Sequence, residues 1–417
     1  MPAPLAAAAI QLRPRETTSL LGSPAQSPRE GALWSQRTRV STRLADALGL
    51  KDAQEARLVS RLILMGALAN IAFVFGRNAG PALYVNHLGS RRLARAMFLS
   101  ALSVFAVTPR FSTYARPRRA VRVYACVQMS GAVLLACLWV MLSYLERRTA
   151  AAVDLTTQVL YTLFFVCEDL TTLLVMMQNA AVAQELFTAT AARRVVGLVQ
   201  LGSSVGAVLA GLTCGGLSRY AGANSLVLAQ VVALLLGLPP TRFVAHVSRG
   251  STEKTTTRED RSSQKWWTDD LVLGLGLYTI LVIAVKTTLE YCYTCVVAAD
   301  TRSPEAMVTV TGYLYAAAGV AASVLNAGGT RRLLRRFGLA VSAGYPLGVA
   351  LLLGIICFKR ASVETLAAAR AFDLAARWSV SNTFKSVVWI AVDVPVARAA
   401  SPYLCGNQPV CRAHSRR

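Results

Sequence analysis

Glu168 and Asp169 stand side by side within the apolar run 155–183, and Gln178 and Asn179 follow about three helical turns later. Lys286 and Glu290 are four residues apart in another run, and Arg370, Asp373 and Arg377 follow spacings of three and four in a third. Those spacings put each group on one face of a helix. Arg77 closes the first apolar run. An ionised side chain at the centre of a lipid-embedded helix costs roughly 2.5–3.5 kcal/mol on insertion scales, so such residues face a cavity or a partner. The chemistry open to them is exchange of ion pairs around a charged solute. Arg77, Lys286, Arg370 and Arg377 favour an anion, such as a nucleotide or phosphate compound. Glu168 and Glu290 would change partners between states or carry a coupling proton.

A second reading of the same residues is structural: Lys286 with Glu290, and Asp373 with Arg377, would merely neutralise one another, and charges near helix ends would reach the interface. It accounts for single residues better than for the set, because the charges collect in spans one, four, seven and ten. Bond-making chemistry has no support. His87, His246 and His414 are scattered without metal-ligand spacing, and there is no Gly-x-Ser-x-Gly. Cys292 and Cys295 form a Cys-x-x-Cys with no second pair or histidine nearby. The glycine-rich stretch from Gly197 to Gly211 lacks the Gly-Lys-Ser/Thr of a phosphate cradle. Its Gly202-x-x-x-Gly206 and Ala207-x-x-x-Gly211 spacings instead allow close helix packing in lipid. No enzyme, cofactor or metal is called for.

These residues must be held by membrane helices. Only 16% of the 417 residues are charged, against about 25% in soluble domains, and mean hydropathy is +0.45. Ten apolar stretches lie near 58–76, 93–108, 121–145, 155–183, 194–217, 222–238, 271–297, 306–327, 339–358 and 361–391. About 20 helical residues cross the hydrocarbon layer; the second and sixth stretches are short by that measure. Val133–Val140 is continuously apolar, unlike a lipid-facing barrel strand. The fold class is therefore all-α and polytopic, with about ten transmembrane helices.

The net charge of +23 raises nucleic-acid binding, but the basic residues sit in short clusters between apolar runs, so the partners are a lipid bilayer and a small anionic solute. With the N-terminus in the cytoplasm, 26 Lys and Arg residues fall on the cytoplasmic side and 10 on the other. Residues 1–57 read as a disordered basic cytoplasmic arm; its alanine-rich start and Glu16–Leu21 are weak organelle and dileucine sorting patterns. Residues 58–238 make an N-terminal six-helix half, 239–270 a cytoplasmic linker opening on Pro239-Pro240, and 271–400 an incomplete C-terminal half of four helices. Residues 401–417 are a polar tail. Two similar halves are the plan of many secondary transporters. The oligomeric state is open, and a monomer suffices.

Several stretches resemble the nucleotide (ATP/ADP) translocase-like branch of the major facilitator superfamily. They are Arg77–Gly89, Gln184–Gly206 with its acidic residue before Phe187 and its basic pair Arg193-Arg194, Lys286–Tyr291, the basic turn Thr330–Gly338, and Arg370–Ser379 through Pro395. The resemblance covers about residues 58–400. It implies a twelve-helix fold with alternating access, exchange of solutes, and Glu168, Glu290 and Asp373 on the central path. The family's lysine near the end of span one has no counterpart here, Arg77 being the nearest base. The last two spans are absent, so the resemblance implies truncation after the tenth helix or a misread gene end. The function expected is secondary transport of a small anion; the alternative is a non-transporting membrane scaffold or sensor, or a non-functional truncated transporter.

Overall fold

The computed structural model describes residues 53–115, 120–148, 155–186, 189–250, 270–301, 303–326, 336, 340–358 and 362–381. The arm before residue 53, most of the linker, and the residues after 381 on which the expected truncation rests lie outside the described residues. Among the described residues eleven α-helices follow in order: α1 Ala53–Leu88, α2 Leu93–Ala115, α3 Ala120–Arg148, α4 Leu155–Leu186, α5 Ala189–Ala221, α6 Ser225–Leu236, α7 Leu238–Gly250, α8 Asp270–Asp300, α9 Pro304–Val324, α10 Ala340–Phe358 and α11 Val363–Ala376. Among the described residues there is no strand. Eight helical segments among the described residues are long and apolar enough to cross a membrane. The ninth and tenth apolar stretches correspond to α10 and to α11 with the π turn Arg377–Ser381. Many large apolar residues face outward, among them Phe98, Phe105, Leu277 and Leu351, as a lipid-facing surface requires.

Three boundaries differ from the hydropathy reading, and each matters for the charges. The first span does not end at residue 76; it runs from Glu55 to Leu88, with Pro81 inside it. Proline removes one helix donor, which a membrane helix tolerates when neighbouring groups compensate. Arg77 therefore lies within the span, 11 residues short of its end, and is no loop residue. The second span extends over Ser90–Phe111 and the sixth over Ser225–His246, so neither is short. The sixth is α6 and α7 end to end. They are interrupted at Gly237, where a side chain would collide with Gln128 of α3. The Thr241 hydroxyl donates to the Gly237 carbonyl at 2.7 Å. Residues 239–250, read as the start of the linker, are helical in α7.

α5 is the axle of the bundle, and its small residues explain why. On one side a Cβ at Gly202 would lie 2.6 Å from the Ile63 carbonyl oxygen, and one at Gly206 would overlap the Ala67 carbonyl, so α1 lies against bare backbone. On the other side α5 packs extensively against α9. Gly211 and Gly312 approach backbone to backbone: a Cβ on either would stand 2.5–2.7 Å from the other's carbonyl oxygen. The seam continues through Gly215 against Thr309 and Gly319 against Ser204. Lipid offers no hydrophobic drive between helices, so this close van der Waals contact is what joins helices before the linker to helices after it.

Candidate functional site

Six ionised side chains form one continuous chain of ion pairs between α1 and α4 on one side and α8 and α11 on the other. Arg77 of α1 pairs with Asp169 of α4 and reaches Glu290 of α8, Nη1 to Oε1, at 3.5 Å. Glu290 Oε2 lies 2.9 Å from Arg370 Nη2 of α11. Arg370 Nη1 donates to Asp373 Oδ2 at 3.0 Å, and Arg377 Nη2 donates to the same oxygen at 2.9 Å. The signs alternate along the whole line. Arg370 and Asp373 are 3% and 1% exposed, which shuts bulk water out of that end. Charges this deep are tolerable only when each is paired and hydrogen-bonded. Hydroxyls supply the remaining bonds: Ser100 of α2 donates to Asp169, and Tyr345 of α10 donates to Asp373.

Glu168 is placed differently from its neighbour. Its carboxylate is buried over α1, where Gly76 and Gly80 leave it room; a Cβ at Gly80 would stand 3.1 Å from its Oε2. It accepts from the Thr172 hydroxyl at 2.9 Å, and Gln230 Nε2 of α6 donates in turn to Thr172 at 3.2 Å. Among the described residues no cation lies within ion-pair distance of Glu168. Lys286 is its counterpart in sign. The expected Lys286–Glu290 pair along α8 does not form, because the two arginines of neighbouring helices occupy Glu290. Lys286 is half-buried, with Arg77, Glu290, Arg377 and Asp169 as its charged neighbours, and no carboxylate within 4.0 Å among the described residues.

Asn179 stands apart from this group. It faces Gly66 of α1, with its Nδ2 3.7 Å from where a Cβ would be, beside Ser203 of α5. Eleven residues of helix separate it from Glu168, a rise of about 16 Å. The charged layer therefore gathers Arg77, Asp169, Glu290, Arg370, Asp373 and Arg377, borders Glu168 and Lys286, and leaves Asn179 on a different level.

One turn from Arg77, toward the N-terminal end of α1, Phe73, Tyr315 of α9 and Trp378 of the π turn form an aromatic cluster. Their ring centroids are 5.9–6.3 Å apart. Arg77 lies over the Phe73 ring at 5.9 Å. Beside the charges, with Tyr315 in its wall, is a cavity of about 20 Å³, room for about one water. Arg77, Asn78, Glu290, Tyr293, Thr311 and Arg370 are among the residues lining it. The cavity lies between α1, before the linker, and α8, α9 and α11, after it.

Gln230, Ser100, Tyr345 and the aromatic trio escaped the sequence reading. Gln230 carries a usable signal, a carboxamide inside the otherwise apolar Leu226–Leu236. Hydroxyls and aromatics are too common in membrane helices to stand out. Among the described residues no three His, Cys, Asp or Glu side chains come together as a metal site would need.

Known structures share this architecture. A bacterial homologue of the iron transporter ferroportin, in its outward-facing state, superposes with a TM-score of 0.58 at 18% identity, over 84% of this chain and 89% of that one. A bacterial ferroportin homologue in its inward-facing state gives 0.55 at 17% identity, over 84% and 90%. A bacterial homologue of the human lysosomal transporter Spinster, facing inward and unoccupied, gives 0.52 at 14% identity, over 84% and 80%. No family model matches the chain, and no curated protein matches its sequence. At these identities the likeness is one of fold. The chain is an all-α, integral multi-pass membrane protein that shares the fold of these transporter structures.

Proposed function

We propose that the chain is a secondary transporter that moves a small anionic solute by alternating access. The observation that carries the reading is the placement of Arg77, Glu290 and Arg370. They lie beside a cavity, between helices that precede and follow the linker, where one carboxylate is flanked by two guanidinium groups. Guanidinium is suited to carboxylate and phosphate, which it binds through parallel N–H bonds. The likeness in fold to transporter structures captured facing outward and inward supports movement about the α5–α9 seam. The basic asymmetry of the loops supports a cytoplasmic N-terminus. A nucleotide is the finer candidate that the sequence resemblance adds, with phosphate compounds beside it. Both sets of helices belong to one chain, so a monomer suffices.

Reconstitution tests this directly. Proteoliposomes holding the purified chain should take up at least one of labelled phosphate, nucleotides and small carboxylates, and Arg370→Gln should abolish that uptake while the protein still inserts. Folded protein that moves no anion across the panel would sink the reading.

A further inference from the structure

The carboxylate of Glu290 differs from the others in where its partners come from. Asp373 is held by two arginines of its own segment, at i−3 and i+4. Glu290 is held wholly by other helices, one oxygen toward Arg77 of α1 and the other toward Arg370 of α11. Two guanidinium groups converging from separate helices on one carboxylate form a ready anion site. In this structure the protein's own side chain fills it. An entering solute anion reaches the same two groups only if Glu290 leaves. A carboxylate left bare at this depth is strongly unfavourable, so it needs another cation.

Lys286 meets that need. It lies one helical turn away on the same face of α8, within i, i+4 reach. It is half-buried beside the cluster and pairs with no carboxylate among the described residues. We infer that Glu290 is a tethered stand-in for the anionic group of the solute, and that binding transfers its carboxylate from Arg77 and Arg370 to Lys286. Before exchange Glu290 has two cationic partners, and Lys286 has no carboxylate among the described residues. Afterwards the solute holds the two arginines, Glu290 holds Lys286, and no charge is stranded. The ligand class is a compact oxyanion, a carboxylate or a phosphate group. This deepens the anion-transport reading and rests on it.

Inorganic phosphate is the probe, titrated at constant ionic strength against chloride, with thermal unfolding of the full chain in nanodiscs as the readout. Glu290→Gln removes the competitor and should tighten phosphate binding at least tenfold over the unsubstituted protein. Glu290→Asp, with a shorter reach, should give a smaller gain in the same direction and serves if the glutamine variant fails to fold. Lys286→Gln should weaken binding about tenfold in the native background and leave it unchanged in the Glu290→Gln background, because Lys286 acts only by receiving Glu290. Equal weakening in both backgrounds would mean that Lys286 touches the anion itself, and would overturn the inference. So would binding by the unsubstituted protein that Glu290→Gln and Glu290→Asp do not improve; the anion reading would then survive alone. Phosphate binding by none of these proteins would overturn both.

Discussion

Arg77 Nη1 stands 3.5 Å from Glu290 Oε1, joining α1 to α8, and among the described residues it is the longest ion pair of the series, Glu290–Arg370, Arg370–Asp373 and Asp373–Arg377 standing at 2.9–3.0 Å. Among the described residues it is also the one ion pair that crosses from helices before the linker to helices after it. Each partner keeps a second, shorter contact on its own side, Arg77 with Asp169 and Glu290 with Arg370. Opening the bundle at this level therefore separates one loose pair and leaves no charge unpartnered.

The first prediction concerns that pair. Removing one partner of a buried ion pair typically costs 3–5 kcal/mol, because the other charge is left unpaired. Arg77 and Glu290 each retain a second partner, so Arg77→Gln should cost less through Glu290 than through Asp169. Unfolding in detergent should show Arg77→Gln and Asp169→Asn strongly coupled in a double-mutant cycle, by 1 kcal/mol or more, and Arg77→Gln and Glu290→Gln coupled more weakly. Equal coupling would mean that the inter-helix link is as tight as the contacts on either side of it.

The charges themselves were legible in the sequence, but their partners were not. An ionised residue in an apolar run is conspicuous because lipid penalises it, and this singled out Asp169, Glu290, Arg370, Asp373 and Arg377. Pairing along one helix can be read from spacing, as Arg370–Asp373–Arg377 shows. Pairing between helices depends on rotation and depth, which hydropathy does not record. Lys286 and Glu290 have favourable spacing, yet Glu290 turns to α1 and α11. Asn179 looks equivalent to Asp169 on a list of polar residues, but sits three turns away along α4. Arg77 closes the apolar run 58–76 on hydropathy alone, although α1 continues through it to Leu88.

The second prediction separates Glu168 of α4 from Asp373 of α11 by what holds them. Glu168 accepts from a hydroxyl and has no ion pair among the described residues, so the neutral carboxamide of Glu168→Gln can accept the same bond. Its stability should stay within about 1 kcal/mol of the native chain. Asp373→Asn leaves two arginines with one partner fewer in a dry site and should destabilise by about 3 kcal/mol or more. Thermal unfolding of the two variants in one detergent decides it; a larger loss for Glu168→Gln would show that its carboxylate is held in charged form.

The third prediction tests the close backbone approach of α5 and α9. Gly211→Val places side-chain atoms where the Gly312 carbonyl now lies, and should lower the yield of folded protein sharply. Gly216, one turn on and with nothing within 4 Å of an added Cβ, provides the control. Gly216→Ala should be neutral or stabilise by up to about 1 kcal/mol, since alanine favours helix over glycine. Size-exclusion profiles after mild solubilisation distinguish the outcomes; tolerance of Gly211→Val would show that the seam is not tight.

The last prediction makes the seam a lock. Cys214 of α5 is a free, buried thiol whose Cβ lies 3.0 Å from where a Cβ on Gly312 of α9 would stand. Disulfides need Cβ atoms about 3.5–4.5 Å apart, so Gly312→Cys requires the two helices to part by under about 1.5 Å to bring its thiol into bonding range of Cys214. Oxidation should then remove both thiols from labelling under denaturing conditions, and Cys214→Ala in the same background should abolish the effect. If the helices slide or separate at this level during transport, the oxidised protein should lose uptake and regain it on reduction. Undiminished uptake by fully cross-linked protein would instead make the Gly211–Gly312 contact a fixed pivot, leaving the movement to the levels of Arg77 and of the Phe73–Tyr315–Trp378 cluster.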